Sequence, residues 1–288
     1  MRRLWAISDL HVGFAQNRRA LESLADYGQD WLIVAGDVAE ALPLVTATLA
    51  FLASRFERVI WVPGNHELWT PDGATGVEGL RGEARYHELV RRCRELGVLT
   101  PEDDWVRWPE DLSLVIAPCF VGYDYSFAPD GYTPEQAVAW AAEDGIRARD
   151  EDFLHFAPYP SRAAWCAARA ALTEDRLAAL PPGTRAVVIH HWPLRRDLIR
   201  LFRIPRYAPW CGTRRTEDWS ARFPIAVIVS GHLHLRATDW RDGTRYEEVS
   251  LGYPAHWRFE RGIAAYLRPI FPAPPDPDAP AAGPVWHR

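Results

Sequence analysis

The sequence predicts an α/β fold assembled from parallel βαβ units. Three observations carry this: short apolar runs of strand length recur along the chain, segments with helical spacing separate them, and each run ends in a polar or glycine-containing turn. The first three runs are Leu4-Trp5-Ala6-Ile7, Trp31-Leu32-Ile33-Val34-Ala35 and Val59-Ile60-Trp61-Val62. Their unbroken apolar character is that of strands covered on both faces. Between them, residues 16–27 and 41–55 space their apolar side chains as helices do, and a longer helix is expected over 78–96.

A strand at 112–117 follows. Residues 122–160 mix Tyr, Phe, Pro and Gly with the acidic groups Glu143, Asp144, Asp150, Glu151 and Asp152, and read as an insertion or cap. Residues 161–180 read as a helix beside it. Strand-type runs return at 186–189 and 225–229, and residues 246–250 and 263–267 are expected as further, antiparallel strands. From Phe271 onward six prolines in eighteen residues leave no periodicity, so a disordered tail is expected over 271–288. The pattern predicts one domain over residues 1–270 with an insertion around 122–160.

Composition narrows the function classes. The 288 residues suffice for a substantial core, and 48% hydrophobic with 25% charged residues excludes a wholly disordered chain. A net charge of −5 argues against a protein that coats nucleic acid. All 33 cationic side chains are Arg, which removes Schiff-base chemistry and a lysine-bearing phosphate loop. Cys93, Cys119, Cys166 and Cys211 are scattered and form no CxxC pair. No apolar run reaches the length of a membrane span, and only four apolar residues precede Ser8-Asp9, so a cytoplasmic protein is expected.

Residues of metal-ligand type stand at the strand ends. The first strand ends in Asp9-x-His11, the second in Gly36-Asp37 and the third in Gly64-Asn65-His66-Glu67. Later strands end in His190-His191 and in Gly231-His232-x-His234. In α/β sheets ligands gather outside the carboxyl ends of strands, so five elements deliver carboxylate, amide and imidazole groups to one rim. The i, i+2 spacing of Asp9/His11 and of His232/His234 puts each pair on one face of an extended segment. Carboxylates with several imidazoles and no thiolate suit Mn, Fe, Zn or Co ahead of Ca or Mg. Seven candidate ligands are too many for one ion. Each motif alone reads more simply as a turn; their joint order at successive strand ends is what favours a site.

Taken in that order, these motifs resemble those of the calcineurin-like metallophosphoesterase superfamily, over residues 3–268. The resemblance implies a sandwich of two mixed β-sheets flanked by helices (αββα), with a two-metal site at the strand ends. It implies Asp9, His11, Asp37 and His234 around one ion. Asp37 would bridge to a second ion, which also takes Asn65, a strand-end histidine and His232. It further implies attack on phosphorus by a metal-bridging hydroxide, with His66 as the proton donor to the leaving oxygen. Two ions, Mn or Fe with Zn as a further fit, are the expected cofactors. Alternation sends His190 and His191 to opposite faces, and the superfamily ligand commonly stands two residues before a proline, which selects His191. A non-catalytic relative serving as a binding scaffold would lack ligands or the catalytic histidine, and here none is missing. His87, His155 and His256 have no comparable context and are expected as surface or partly buried side chains.

The superfamily motifs leave the ester open, with a general phosphodiesterase or phosphatase acting on small molecules or nucleotides as one alternative. Residues 193–222 hold eight arginines against three acids, directly after His191. This local excess is expected to flank the site and favour an acidic partner, against the plainer reading of a solvated face. Arg195, Arg196, Arg200 and Trp210 are therefore candidate substrate-binding residues, and Trp69 and Trp257 candidate pocket walls. Segments 31–40, 59–69, 123–127, 210–213 and 252–254 resemble the branch of the superfamily that releases 4′-phosphopantetheine from holo-acyl carrier protein. That resemblance implies an acidic carrier protein as the phosphoester substrate.

Overall fold

Alternate side chains of the same strands enter different cores, and this stacks the molecule into layers. In strands β1 (Leu4–Ile7), β2 (Trp31–Val34) and β3 (Arg58–Trp61), Leu4, Ile33 and Ile60 face one core while Ile7, Val34 and Trp61 face another. Period-two alternation in runs apolar on both faces requires cover on both sides. The computed structural model describes residues 1–274 and 283–287. The remaining strands are β4 (Val106–Trp108), β5 (Asp111–Pro118), β6 (Arg185–Ile189), β7 (Ile225–Ser230), β8 (Ala237–Arg241), β9 (Thr244–Glu248), β10 (Arg268–Phe271) and β11 (Val285–Trp286). One sheet has the order β10-β1-β2-β3 and the other β11-β8-β9-β7-β6-β5-β4; both are mixed.

The helices are α1 (Ala15–Glu22), α2 (Leu42–Ala53), the single-turn α3 (Asn65–Leu68), α4 (Glu83–Glu95), α5 (Pro134–Ala142), the single-turn α6 (Asp150–Phe153), α7 (Arg162–Ala178) and α8 (Trp219–Arg222). Between the sheets, Leu4, Ile33 and Ile60 pack with Ile116, Val187 and Val229. Outside the first sheet, Leu49, Leu52 and Leu89 of α2 and α4 cover Val34, Val59 and Trp61. Outside the second, Cys166, Ala170 and Leu177 of α7 cover Val115, Val188 and Ile228. The result is the αββα sandwich that the superfamily resemblance implies. The sheets are stitched together at the site end, where Ser8 N donates to Val249 O (3.1 Å) and Leu251 N to Ser8 O (2.8 Å).

Several elements depart from the sequence expectation. The helix expected over 78–96 is a 3₁₀ turn at Gly76–Gly79 followed by α4. Gly82 breaks it at φ +57°, where the Ala157 backbone lies too close for any Cβ. Helix α1 stops at Glu22, five residues early, because Ser23 turns its hydroxyl back onto Ala20 O (2.7 Å). The segment expected as a strand over 263–267 is a 3₁₀ turn, Ile263–Tyr266, that buries Ile263 and Tyr266; the strand beside β1 is β10. Strand β9 is antiparallel to β8, as expected, but parallel to β7. Strand β8 itself went unread, although Asp242-Gly243, both at positive φ, is a hairpin turn signal. Of the tail expected to be disordered, residues 275–282 and 288 lie outside the described residues. Phe271 belongs to β10, and Val285–Trp286 pairs with β8. All four cysteines are free and buried, and no helix among the described residues is long and apolar enough to cross a membrane.

Candidate metal centre

The strand ends bring the predicted ligands into one cluster by forcing the backbone into unusual turns. Asp9, His11, Asp37, His232 and His234 all have φ between +42° and +72°. A left-handed non-glycine residue costs about 1–3 kcal/mol, so five in one place mark a backbone held there by its surroundings. Gly36 (φ +86°) allows the close approach: a Cβ there would stand 2.6 Å from both Gly64 N and His191 Nδ1. Glu67 clamps the second and third strand-end turns together. Its carboxylate accepts from Asp37 N (3.0 Å), Gly64 N (3.0 Å) and Val38 N (2.8 Å).

Two overlapping donor sets result. In the first, Asp9 Oδ1 lies 3.0 Å from His234 Nε2 and 3.9 Å from His11 Nε2. Asp9 Oδ2 faces away, accepting from Ser8 Oγ (2.6 Å), Ser250 Oγ (2.8 Å) and His232 N (3.0 Å). In the second, Asp37 Oδ2 lies 3.5 Å from His191 Nε2, which is 3.2 Å from His232 Nδ1. The same Asp37 Oδ2 is 3.9 Å from His11 Nε2, so one carboxylate oxygen belongs to both sets. His191 Nδ1 donates to Ala35 O (2.8 Å), which leaves Nε2 with its lone pair aimed at the cluster. His190 points the other way, with Nδ1 donating to Trp192 O and Nε2 accepting from Val121 N.

Electrostatics show which kind of partner this cluster suits. Burial, with Asp9 and Glu67 close by, pushes the Asp37 carboxyl well above its ordinary value. Burial would do the same to Asp9, but His234, through its charge and its hydrogen bond, holds it well below. Burial drives His11, His191 and His232 down, keeping these imidazoles neutral with lone pairs free to coordinate. Asn65 Oδ1 is buried with no hydrogen-bond partner among the described residues, and His232 turns Nδ1 toward the cluster. An orphaned acceptor beside a carboxylate that resists ionising is what a cation would satisfy, so the donor set fits bound metal.

His66 comes as close to the cluster as the candidate ligands do and shares a donor group with His11 and Asp37. Its Nδ1 donates to Glu40 Oε1 (2.9 Å), and its Nε2 faces the cluster 3.8 Å from Asp37 Oδ2. The hydrogen bond from His66 lowers Glu40, so this carboxylate stays ionised behind the ring. Trp69 backs the imidazole at a centroid distance of 3.8 Å.

A cleft of about 650 Å³ opens over the cluster, within the range of small-molecule sites. Asp37, Asn65, His66, His232 and His234 line its floor, and Leu201, Ile204, Tyr207, Leu233 and Leu235 form an apolar wall. The other candidate substrate residues fare differently. Arg200 reaches the cleft but is held bidentate by Asp239 (2.6 and 2.7 Å). Arg195 pairs with Asp197 and Asp242, and Arg196 is exposed outside the cleft. Trp210 is fully buried, donating to Glu151 Oε1 (2.7 Å), and Trp257 donates to Asn17 Oδ1. Neither lines the cleft.

Sequence reasoning missed three supporting carboxylates or imidazoles. Glu40 lies three residues after Asp37, where a helix-entry acid would stand. His256, set aside for want of context, packs its Nδ1 2.9 Å from His234 Nδ1. Asp150, one acid among five in the insertion, is fully buried; its Oδ1 accepts from Asn65 Nδ2 (2.9 Å) and Trp69 Nε1 (2.7 Å), and its Oδ2 from Tyr123 OH (2.9 Å). It thereby fixes which end of the Asn65 amide faces the cluster. Asp150→Ala is expected to weaken metal affinity by about 10–100-fold, measured by metal titration, while Asp150→Asn keeps most of it because an amide oxygen can still accept. Equal affinity in the Ala variant and the wild type would show that Asp150 does not orient Asn65.

A sandwich of two mixed sheets with a carboxylate–imidazole cluster at its strand ends defines a class. The family model for calcineurin-like phosphoesterases matches residues 2–236, and the chain belongs to that family. It is a metal-dependent phosphoester hydrolase. Among curated proteins it is 45% identical over 274 residues to the acyl-carrier-protein phosphodiesterase PptH of Mycobacterium tuberculosis, covering 94% of this chain and 84% of that protein. The crystal structure of the phosphopantetheinyl hydrolase PptH from Mycobacterium tuberculosis matches it with a TM-score of 0.88 at 44% identity, covering 95% of this chain and 97% of that one.

Proposed function

We propose that this phosphoesterase hydrolyses the phosphodiester that joins 4′-phosphopantetheine to a serine of holo-acyl carrier protein. The observation that carries the reading is the extent of the likeness to PptH: 45% identity over 94% of the chain takes in the insertion and the residues after β9, well beyond the five ligand motifs. A cleft with ligands on its floor and an apolar wall also suits a substrate with a charged phosphate and a long, largely uncharged arm.

Asp9, His11, Asp37 and His234 would hold one ion, and Asp37, Asn65, His191 and His232 a second; the mixed carboxylate, amide and imidazole donors favour Mn or Fe. Bound there, the ions supply Lewis acidity, neutralising charge on the phosphoryl oxygens and lowering the pKa of water. The chain's own residues do the rest. Asp37 sets the spacing of the two sets through one shared oxygen. His66 holds a proton at Nε2, oriented by the Glu40 carboxylate, which also stabilises the charged ring. Hydrolysis breaks the bond between phosphorus and the serine oxygen; water supplies the new hydroxyl on phosphorus, the serine oxygen takes up a proton from His66, and the other proton of the water passes to solvent, from which His66 is reprotonated. The products are 4′-phosphopantetheine and the apo carrier, a reaction that belongs in the cytoplasm with its substrate.

Intact-mass spectrometry of holo-acyl carrier protein incubated with enzyme and Mn²⁺ tests the reading. Conversion of the holo to the apo mass, blocked by chelator, is expected. A carrier that stays holo under conditions where the enzyme turns over a small diester would assign the site to another phosphoester.

A further inference from the structure

The arginine-rich stretch after His191 is mostly neutralised by acids from elsewhere in the chain. Arg195 pairs with Asp242, Arg200 with Asp239, Arg206 with Glu143, Arg214 with Asp130, Arg215 with Asp124 and Arg222 with Glu174. Arg196 and Arg203 are the two of the eight with no carboxylate in ion-pair range among the described residues. Both are exposed, and both flank Phe202, which is 82% exposed. A single exposed apolar residue is ordinary, but Phe202 is not isolated. Ile204 beside it is also exposed, and Phe202 sits on a ridge: on one side is the cleft, on the other a groove of about 210 Å³ with Arg196, Ile199 and Pro205.

We propose that this ridge is the docking surface for the acidic carrier domain, with Phe202 as its apolar anchor and Arg196 and Arg203 as its charge contacts. The inference rests on the phosphopantetheine reading above and deepens it. The reaction itself supplies the geometric argument. The scissile phosphorus is bonded directly to a serine oxygen, so the carrier backbone lies only one short side chain from the metals. A folded carrier cannot stand off on its long arm; it must press against the rim of the cleft. At that rim the chain offers two cations without internal partners around an exposed aromatic ring. The complementary surface is a set of carboxylates around an apolar patch, next to the modified serine. Two isolated cations are too few to track a polynucleotide backbone.

The test uses the metal-loaded full chain and the apo carrier, which presents the same surface with an unmodified serine and does not react. Its binding is measured by titration calorimetry at low and moderate salt. Wild type should bind the apo carrier, more weakly as salt rises. Phe202→Ser and the double variant Arg196→Glu/Arg203→Glu should each weaken binding by about tenfold or more, while Phe202→Leu keeps most of it. Thermal midpoint and metal content serve as controls for folding, because all three side chains are on the surface. If both variants bind like wild type while wild type cleaves holo carrier, the docking surface lies elsewhere and the substrate reading stands. If wild type neither cleaves holo carrier nor binds the apo form, both fall. Binding of wild type to anionic lipid vesicles through Phe202, with none to the carrier, would assign the ridge to a membrane surface.

Discussion

Replacing Asp37 by Asn abolishes tight metal binding and turnover together while the fold survives. Asp37 Oδ2 is the oxygen common to both donor sets, near His11, His66 and His191, so its charge serves two ions where each other ligand serves one. Losing the one carboxylate charge that both ions would share at a buried site should cost more than the roughly 10²–10³-fold typical of one missing oxyanion donor. The fold tolerates the change for a specific reason. The Asp37 side chain accepts the His66 amide through Oδ1 (3.0 Å), a role an Asn oxygen keeps. Burial beside Asp9 and Glu67 already makes the carboxylate uncomfortable without metal, so the metal-free variant should melt no lower than metal-free wild type. Added Mn²⁺ should raise the wild-type melting temperature and leave that of the variant unchanged, because only a state that binds the ion gains from it. A variant with two ions per chain and normal turnover would rule out the shared-ligand assignment.

His66→Ala has the second largest effect and a different signature. Metal content should match wild type, since the ring is turned toward Glu40 on one side and the cleft on the other. Turnover should fall by about 10²–10⁴-fold for an alkoxide leaving group such as serine, which must be protonated as it departs. For a nitrophenyl ester the leaving oxygen needs no proton, and the loss should shrink accordingly. Equal losses on both kinds of ester would indicate that His66 binds substrate or metal instead of transferring a proton.

The candidate ligands were legible because strand-end chemistry repeats in the sequence: an apolar run, then an Asp, Asn or His, with a glycine just before it at Asp37, Asn65 and His232. Alternation sends His190 and His191 to opposite faces, as the structure shows, while the choice of His191 came from the superfamily pattern. What supports the ligands was hidden. Asp150 comes from the segment between β5 and β6, 85 residues after Asn65, where nothing in the sequence singles it out from the acids around it. Arg85, fully buried in α4, donates to the backbone oxygens of Glu67, Glu40 and Glu78, yet in sequence it is one arginine among many on a polar helix. The charge count over 193–222 overstated the unpaired charge for the same reason. It summed neighbours in sequence, while Asp124, Asp130, Glu143, Glu174, Asp239 and Asp242 arrive from other segments and neutralise most of it. Local pattern reports a side chain's own element; its partners are set by the tertiary fold.

On the function proposed above, this site transfers a phosphoryl group from a carrier-protein serine to water. Running the holo-carrier reaction in oxygen-18 water, with mass spectrometry of both products, follows that transfer. One oxygen-18 atom is expected in the released 4′-phosphopantetheine and an unlabelled serine in the apo carrier, with no product from Asp37→Asn. Label in the carrier serine, a dehydrated carrier residue, or undiminished release by Asp37→Asn would contradict that function.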